Sequence, residues 1–263
     1  MSAKKILIGT SWKMNKTVPE SIEYAKELLE YVERKKEELS DVTIFILPTF
    51  LAIAKVSEIL RGTDIYYGAQ DCCWVDEGAF TGEVSPMHLK DLGSKFAELG
   101  HAERREMFAE DDKMINKKVL GALKNGLSPI LCIGEEERFK DDIKAYDYVA
   151  NQLDADIQGI EPKDMENIVI AYEPVWAIGS DASAPLDFIQ GGMEYIRDHI
   201  SKRFGKETAK KQLMIYGGSV TPDTAEDIMN LKDNDGIFIG RAALKLDYFF
   251  DMIEMAIRVS KNL

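Results

Sequence analysis

IVIAYEPVWAIGSDAS (residues 168–183) opens with four apolar residues rich in β-branching and ends in a run of small ones. A short apolar run without alternation is the pattern of a strand buried on both faces, as in a parallel sheet. Glu173 stands at its carboxyl end, where a core position calls for an apolar side chain. Pro174 and Trp176 follow, then a loop of small and polar residues. One carboxylate at the exit of a buried strand, beneath a loop able to move, is the arrangement of a base held in a cleft. A strand-end surface charge is the plainer reading of Glu173 taken alone.

The same unit recurs on both sides of this stretch. KKILIGT (4–10), VTIFILP (42–48), IYYGAQD (65–71), FAELGHA (96–102) and SPILCIG (128–134) precede it, and LMIYGG (213–218) and DGIFIG (235–240) follow. Between them run amphipathic segments. In 19–39 the apolar positions Ile22, Ala25, Leu28, Leu29 and Val32 form one helical stripe. Pro19 suits a first turn, and Asn125-Gly126 a helix stop after 112–124. Strict strand–helix alternation implies parallel strands with right-handed crossovers. Eight units predict a closed α/β barrel, a (β/α)8 fold, spanning residues 1–263 as one domain. An open dinucleotide-binding sheet wants GxGxxG after its first strand, and this chain has GTSWKMN there.

The chain has 263 residues, 45% hydrophobic and 30% charged, with a net charge of −13. That composition predicts a globular protein and argues against nucleic-acid or anionic-membrane partners. An anionic ligand would need local help, from backbone amides, a helix N-terminus or a placed cation. Cys72, Cys73 and Cys132 match neither a disulfide framework nor zinc-ligand spacing, and no apolar run reaches membrane-span length. MSAKKILIG lacks the apolar core of a signal peptide, so a cytoplasmic setting is expected. The acidic run Glu135-Glu136-Glu137 reads as a solvated face.

In a (β/α)8 barrel the carboxyl ends of the strands build the active site. Here they carry Ser11 and Lys13, then His101 and Glu103, then Glu173, then Gly217-Gly218-Ser219, then Gly240-Arg241. The two glycine loops suit a phosphate. A carboxylate facing an imidazole suits proton abstraction beside a carbonyl, and Lys13 suits the developing oxyanion. His101 opens a helical turn, which favours a neutral ring. Together these predict enolisation, most simply a 1,2-proton shift in a phosphorylated sugar, with the 179–184 loop closing over it.

SWKMN, GAQD, GAFTGEVSP, LGHAERR, CIGE, AYEPVWAIG, YGGSV and GIFIG occur in the order and spacing of the triosephosphate isomerase family, from first strand to last. AYEPVWAIG with GHAERR is the specific part. The resemblance implies the TIM barrel and interconversion of dihydroxyacetone phosphate and D-glyceraldehyde 3-phosphate through an enediolate, without metal or cofactor. It implies Glu173 as general base, His101 as electrophile and Lys13 as substrate-binding cation. Gly179, Ser219, Gly240 and Arg241 fall at phosphate-binding positions, Tyr216 and Ser219 at a lid latch, Ala184 at the far hinge, and Ile178 at an apolar clamp. Thr81 falls where the family reaches into a partner, which implies a homodimer.

The chain departs from that pattern at five places. Ser11 replaces Asn, Ala102 replaces Ser, and Ser180-Asp181-Ala182-Ser183 replaces the usual lid centre. Arg241 replaces the second glycine of the last loop, and Phe238 replaces Leu. Changes around an intact catalytic set leave open a four-carbon substrate, erythrulose 1-phosphate. A barrel that has lost catalysis and serves as a binding protein is the reading from another class.

Overall fold

The computed structural model describes residues 6–179 and 183–262. Eight parallel strands close in sequence order into a barrel. They are β1 (Ile6–Ser11), β2 (Val42–Leu47), β3 (Ile65–Ala69), β4 (Phe96–Leu99), β5 (Ser128–Ile133), β6 (Val169–Tyr172), β7 (Leu213–Tyr216) and β8 (Gly236–Ile239). Closure runs through β1, whose Ile6 stands beside Val42 of β2 and whose Leu7 stands beside Gly236 of β8. The eight-unit alternation read from the sequence is therefore a (β/α)8 barrel.

Helices pack outside. α1 (Val18–Arg34) and α2 (Phe50–Leu60) follow the first two strands, and α3 (Pro86–Asp91) follows a long loop after β3. α4 (Ala102–Phe108) and α5 (Asp112–Lys124) follow β4, and α6 (Asp142–Asp156) and α7 (Pro162–Met165) follow β5. After β6 come a 3-10 turn at Val175–Ala177, α8 (Leu186–Phe204) and α9 (Lys206–Lys211). α10 (Pro222–Met229) follows β7. A 3-10 turn at Arg241–Leu244 and α11 (Leu246–Ser260) follow β8. Thr17 caps α1 in a capping box with Glu20, with Pro19 in the first turn, and Asn125 ends α5 before Gly126 at φ +69°.

Strand side chains point alternately inward and outward. Leu7, Phe45, Leu47, Phe96, Ile130, Cys132, Val169, Ala171, Ile215 and Phe238 fill the barrel, while Ile6, Ile8, Ile44, Ile46, Leu99, Ile170 and Met214 pack under the helices. Gly9 leaves room for the Phe45 ring, since a Cβ there would stand 2.2 Å from it. Carried to the strand ends, this parity puts Ser11, Glu98, Glu173, Gly217 and Gly240 on the inner side at one rim. Among the described residues no helix is long and apolar enough to cross a membrane, and no cluster of His, Cys, Asp or Glu could hold a metal ion.

The strand read as FAELGHA stops at Leu99. Gly100 takes φ +74°, and His101 becomes the N-cap of α4. The lid-centre substitutions at Ser180, Asp181 and Ala182, and residues 1–5 of the leader reading, lie outside the described residues.

Candidate active site

A cavity of about 750 Å³ opens at the carboxyl ends of the strands. Ser11, Lys13, His101, Glu173, Gly179, Ser219, Gly240 and Arg241 all line it. These are the eight residues singled out from the sequence, and they come from five strand ends and the loops beyond them. Thr81 stands apart and exposed, on the loop after β3. That loop is pinned at its base by the Cys73 amide donating to the Val84 carbonyl at 2.8 Å.

Lys13 leaves β1 with φ +52°, a left-handed backbone that few non-glycine residues adopt. This aims its ammonium at the cavity floor, where Nζ stands 2.6 Å from His101 Nε2 and 3.4 Å from Glu103 Oε1. Burial lowers the Lys13 pKa, but the carboxylates of Glu98, Glu173 and Glu103 outweigh it and the net shift is upward. The group is a cation at neutral pH.

His101 Nδ1 accepts from the Glu103 backbone N–H at 3.2 Å, at the start of α4. Burial, with Lys13 beside it, pushes its pKa down to about 3. The ring is neutral, and with Nδ1 committed as acceptor its one proton sits on Nε2, facing the cavity. Nε2–H and the Lys13 ammonium are both donors, so neither satisfies the other. A substrate oxygen beside the pair, within reach of both, would accept from each.

Glu173 follows β6 and is fully enclosed. Its Oε2 lies 3.5 Å from His101 Nε2 and has no hydrogen-bond partner among the described residues. Gly217 makes space for this carboxyl, since a Cβ there would stand 2.2 Å from Oε1. Burial lifts its pKa to about 8 against the pull of Lys13, with Glu98 lifting it further. A carboxylate displaced this far is matched to taking a proton from carbon near neutral pH.

Facing this group are the loops after β6, β7 and β8. Arg241 opens the last 3-10 turn, and its guanidinium donates to the Gly179 carbonyl at 3.3 Å, so two loops are joined across the mouth. Ser219 Oγ donates to the Ala177 carbonyl at 2.8 Å, and the Ala184 amide donates to Tyr216 Oη at 3.3 Å. The loop after β6 is thus held on both sides of its undescribed centre. Ile178 lines the cavity as well, and Ala102 lines a neighbouring cavity of about 340 Å³ that shares Glu173.

Two residues escaped the sequence reading. Glu135 is not on a solvated face. It is completely buried, accepting from Trp176 Nε1 at 2.7 Å and Tyr172 Oη at 3.3 Å, so it anchors the strand exit that carries Glu173. Glu98, on the inner face of β4, lines the cavity and accepts from Ser11 Oγ at 2.7 Å. Its signal was there to find, as a lone Glu at an inward position of an apolar strand.

A profile of the triosephosphate isomerase family matches residues 6–256. The triosephosphate isomerase of Thermoanaerobacter pseudethanolicus is 38% identical over 250 residues, covering 95% of this chain and 99% of that protein. That of Finegoldia magna is 41% identical over 252 residues (95% and 98%), and that of Carboxydothermus hydrogenoformans 40% over 256 (97% and 100%). With a barrel rim that gathers an enclosed carboxyl, a neutral imidazole and a cation beneath two glycine loops, the match over nearly the whole length leaves one conclusion: this chain belongs to the triosephosphate isomerase family.

Proposed function

We propose that this chain interconverts dihydroxyacetone phosphate and D-glyceraldehyde 3-phosphate through an enediolate. Glu173 takes a proton from the carbon beside the carbonyl and returns it to the neighbouring carbon. His101 donates from neutral Nε2 to the carbonyl oxygen and moves protons between the two oxygens. Lys13 stabilises the negative charge that develops there. The phosphate is held by backbone amides at Gly179, Ser219, Gly240 and Arg241, with Ser11 on the floor. The observation that carries this reading is the 3.5 Å contact of Glu173 Oε2 with His101 Nε2, with Lys13 Nζ 2.6 Å from the same nitrogen. Carbonyl, oxyanion and carbon acid are then served from one point.

A four-carbon ketose phosphate and a catalytically inactive barrel gain no support from the relatives, each of which is named for the triose reaction. The test is kcat/KM on glyceraldehyde 3-phosphate and erythrulose 1-phosphate side by side. We expect the triose to be favoured by roughly a hundredfold, the discrimination a fitted pocket gives against one extra carbon. Equal or inverted preference would overturn the substrate assignment, and no turnover of either would overturn the reaction.

A homodimer is part of the same proposal. Exposed apolar side chains follow each of the first four strands, with Met14 after β1, Leu51 in the first turn of α2, Phe80 on the loop after β3, and Met107 and Phe108 at the end of α4. Thr81 follows Phe80 in the chain, on that half of the rim. Sedimentation should give twice the chain mass, and Thr81→Arg should shift it toward one. Three buried free cysteines fit a cytoplasmic setting.

A further inference from the structure

The proposed reaction employs one carboxyl, one imidazole and one ammonium, and it leaves one buried group of the cavity without a task. Glu98 is 3% exposed, on the inner face of β4, and among the described residues its one hydrogen bond is from Ser11 Oγ at 2.7 Å. A carboxylate offers about four acceptor positions, and burying one with so little bonding is expensive. Below Glu98 the barrel is apolar, lined by Phe96, Phe45 and Phe238. Nothing in that packing calls for a carboxylate, and its unused acceptor capacity lies on the wall of the cavity.

Topology says what that wall faces. In a closed ring of eight strands in sequence order, β4 lies four strands from β8 in either direction. The phosphate loops follow β6, β7 and β8. A ligand anchored there by its phosphate points its other end toward β4. The groups around that end are Lys13 from the β1 loop, His101 and Glu103 from the β4 exit, Cys132 from β5 and Glu173 from β6.

We propose that Glu98, fixed by Ser11, is a specificity-determining residue that hydrogen-bonds a hydroxyl of the substrate at the end remote from the phosphate. The assignment rests on the isomerase reading for the orientation of the ligand. It also suits the reaction. As carbonyl and hydroxyl exchange places along the chain, the group presented to Glu98 changes between donor and acceptor. Burial raises the Glu98 carboxyl to about 7 against the pull of Lys13 and the Ser11 bond, so both its ionised, accepting form and its protonated, donating form are populated near neutral pH.

Binding tests this without turnover. Glycerol 3-phosphate and n-propyl phosphate share a phosphate and three carbons, and differ in their hydroxyls. Calorimetric titration of the wild type is expected to give an affinity ratio of about tenfold in favour of glycerol 3-phosphate, the worth of one charge-assisted hydrogen bond. Glu98→Gln preserves shape and an acceptor for Ser11, and should cut the ratio a few-fold. Glu98→Leu should lower the ratio further, to what Lys13 and His101 alone give, with propyl phosphate affinity unchanged because the phosphate loops are untouched. With substrate, Glu98→Gln should raise KM more than it lowers kcat. A wild type without preference, or a ratio that survives in Glu98→Gln, overturns the proposal. Should Glu98→Leu fail to fold, the Gln variant decides alone. Failure of the isomerase reading shows separately, as a wild type that binds both phosphates and turns over neither sugar.

Discussion

Two of the clusters of buried charge around the barrel are built in opposite ways. In one, Lys118 Nζ donates to both oxygens of Asp71 at 2.8 Å and to Glu110 Oε1 at 2.5 Å, while Arg104 bonds the same two carboxylates at 2.9 and 2.7 Å. Two cations meet two anions at bonding distance. In the other, Lys13 faces the carboxyls of Glu98, Glu173 and Glu103 beside a neutral His101, so one cation meets three acids. Matched charges lock a loop to a helix. Burial lifts a carboxyl in both clusters, Asp71 to about 6 and Glu173 to about 8, but only the undermatched one leaves donors unspent, which is what a reaction needs. Burial alone therefore says little about purpose; the bonding ratio says more.

The widest separation between the two clusters should come from Glu173→Gln. It should lower kcat by about 10⁴-fold, the upper range for loss of a general base, with an unchanged circular dichroism spectrum. Lys118→Met should do the reverse. Removing one partner of a buried ionic network costs about 3–5 kcal/mol of stability, read by urea denaturation, while kcat per folded molecule stays near wild type. If Lys118→Met lowered kcat as Glu173→Gln does, the division of labour between the clusters would be wrong.

Acid–base behaviour sharpens the contrast. Glu173 must be ionised to act, so kcat/KM should rise with pH through its raised pKa, with an acid limb above the ordinary carboxylate range and no limb from His101 near neutrality. Stability should run the other way. Glu98 and Glu173, at about 7 and 8, bind protons more tightly folded than unfolded. Their contribution is full below the ordinary carboxylate pKa and is lost as pH rises through the folded values. The slope of Tm against pH between about 5 and 8 should accordingly be shallower in Glu98→Gln than in wild type. The smallest effect belongs to Glu135→Gln. Weakening the bonds to Trp176 and Tyr172 should cost about 1–2 kcal/mol and lower kcat only a few-fold, by loosening the exit of β6.

The barrel and its base were legible because their signals are local. The apolar run before Glu173 and the Asn125-Gly126 stop each sit within a few letters of the feature they specify. FAELGHA was three residues too long as a strand, because an apolar run does not show where glycine turns the backbone left-handed and a side chain begins to cap a helix. Glu135 and Glu98 were missed for a different reason. The partners of Glu135 are 37 and 41 residues downstream, and that of Glu98 is 87 residues upstream. No window of sequence contains both halves of either pair, so the first was read as solvent-facing and the second passed as part of a strand.

The left-handed backbone at Lys13 bears on how this protein can change over time. A side chain at φ +52° carries conformational strain of order 1 kcal/mol that glycine would relieve. Glycine, however, has no ammonium. Position 13 is a place where a drift toward greater stability leads directly away from the proposed activity. A lineage selected only to stay folded should lose its lysine there early, whereas one still under selection for turnover should keep it and find its stability elsewhere.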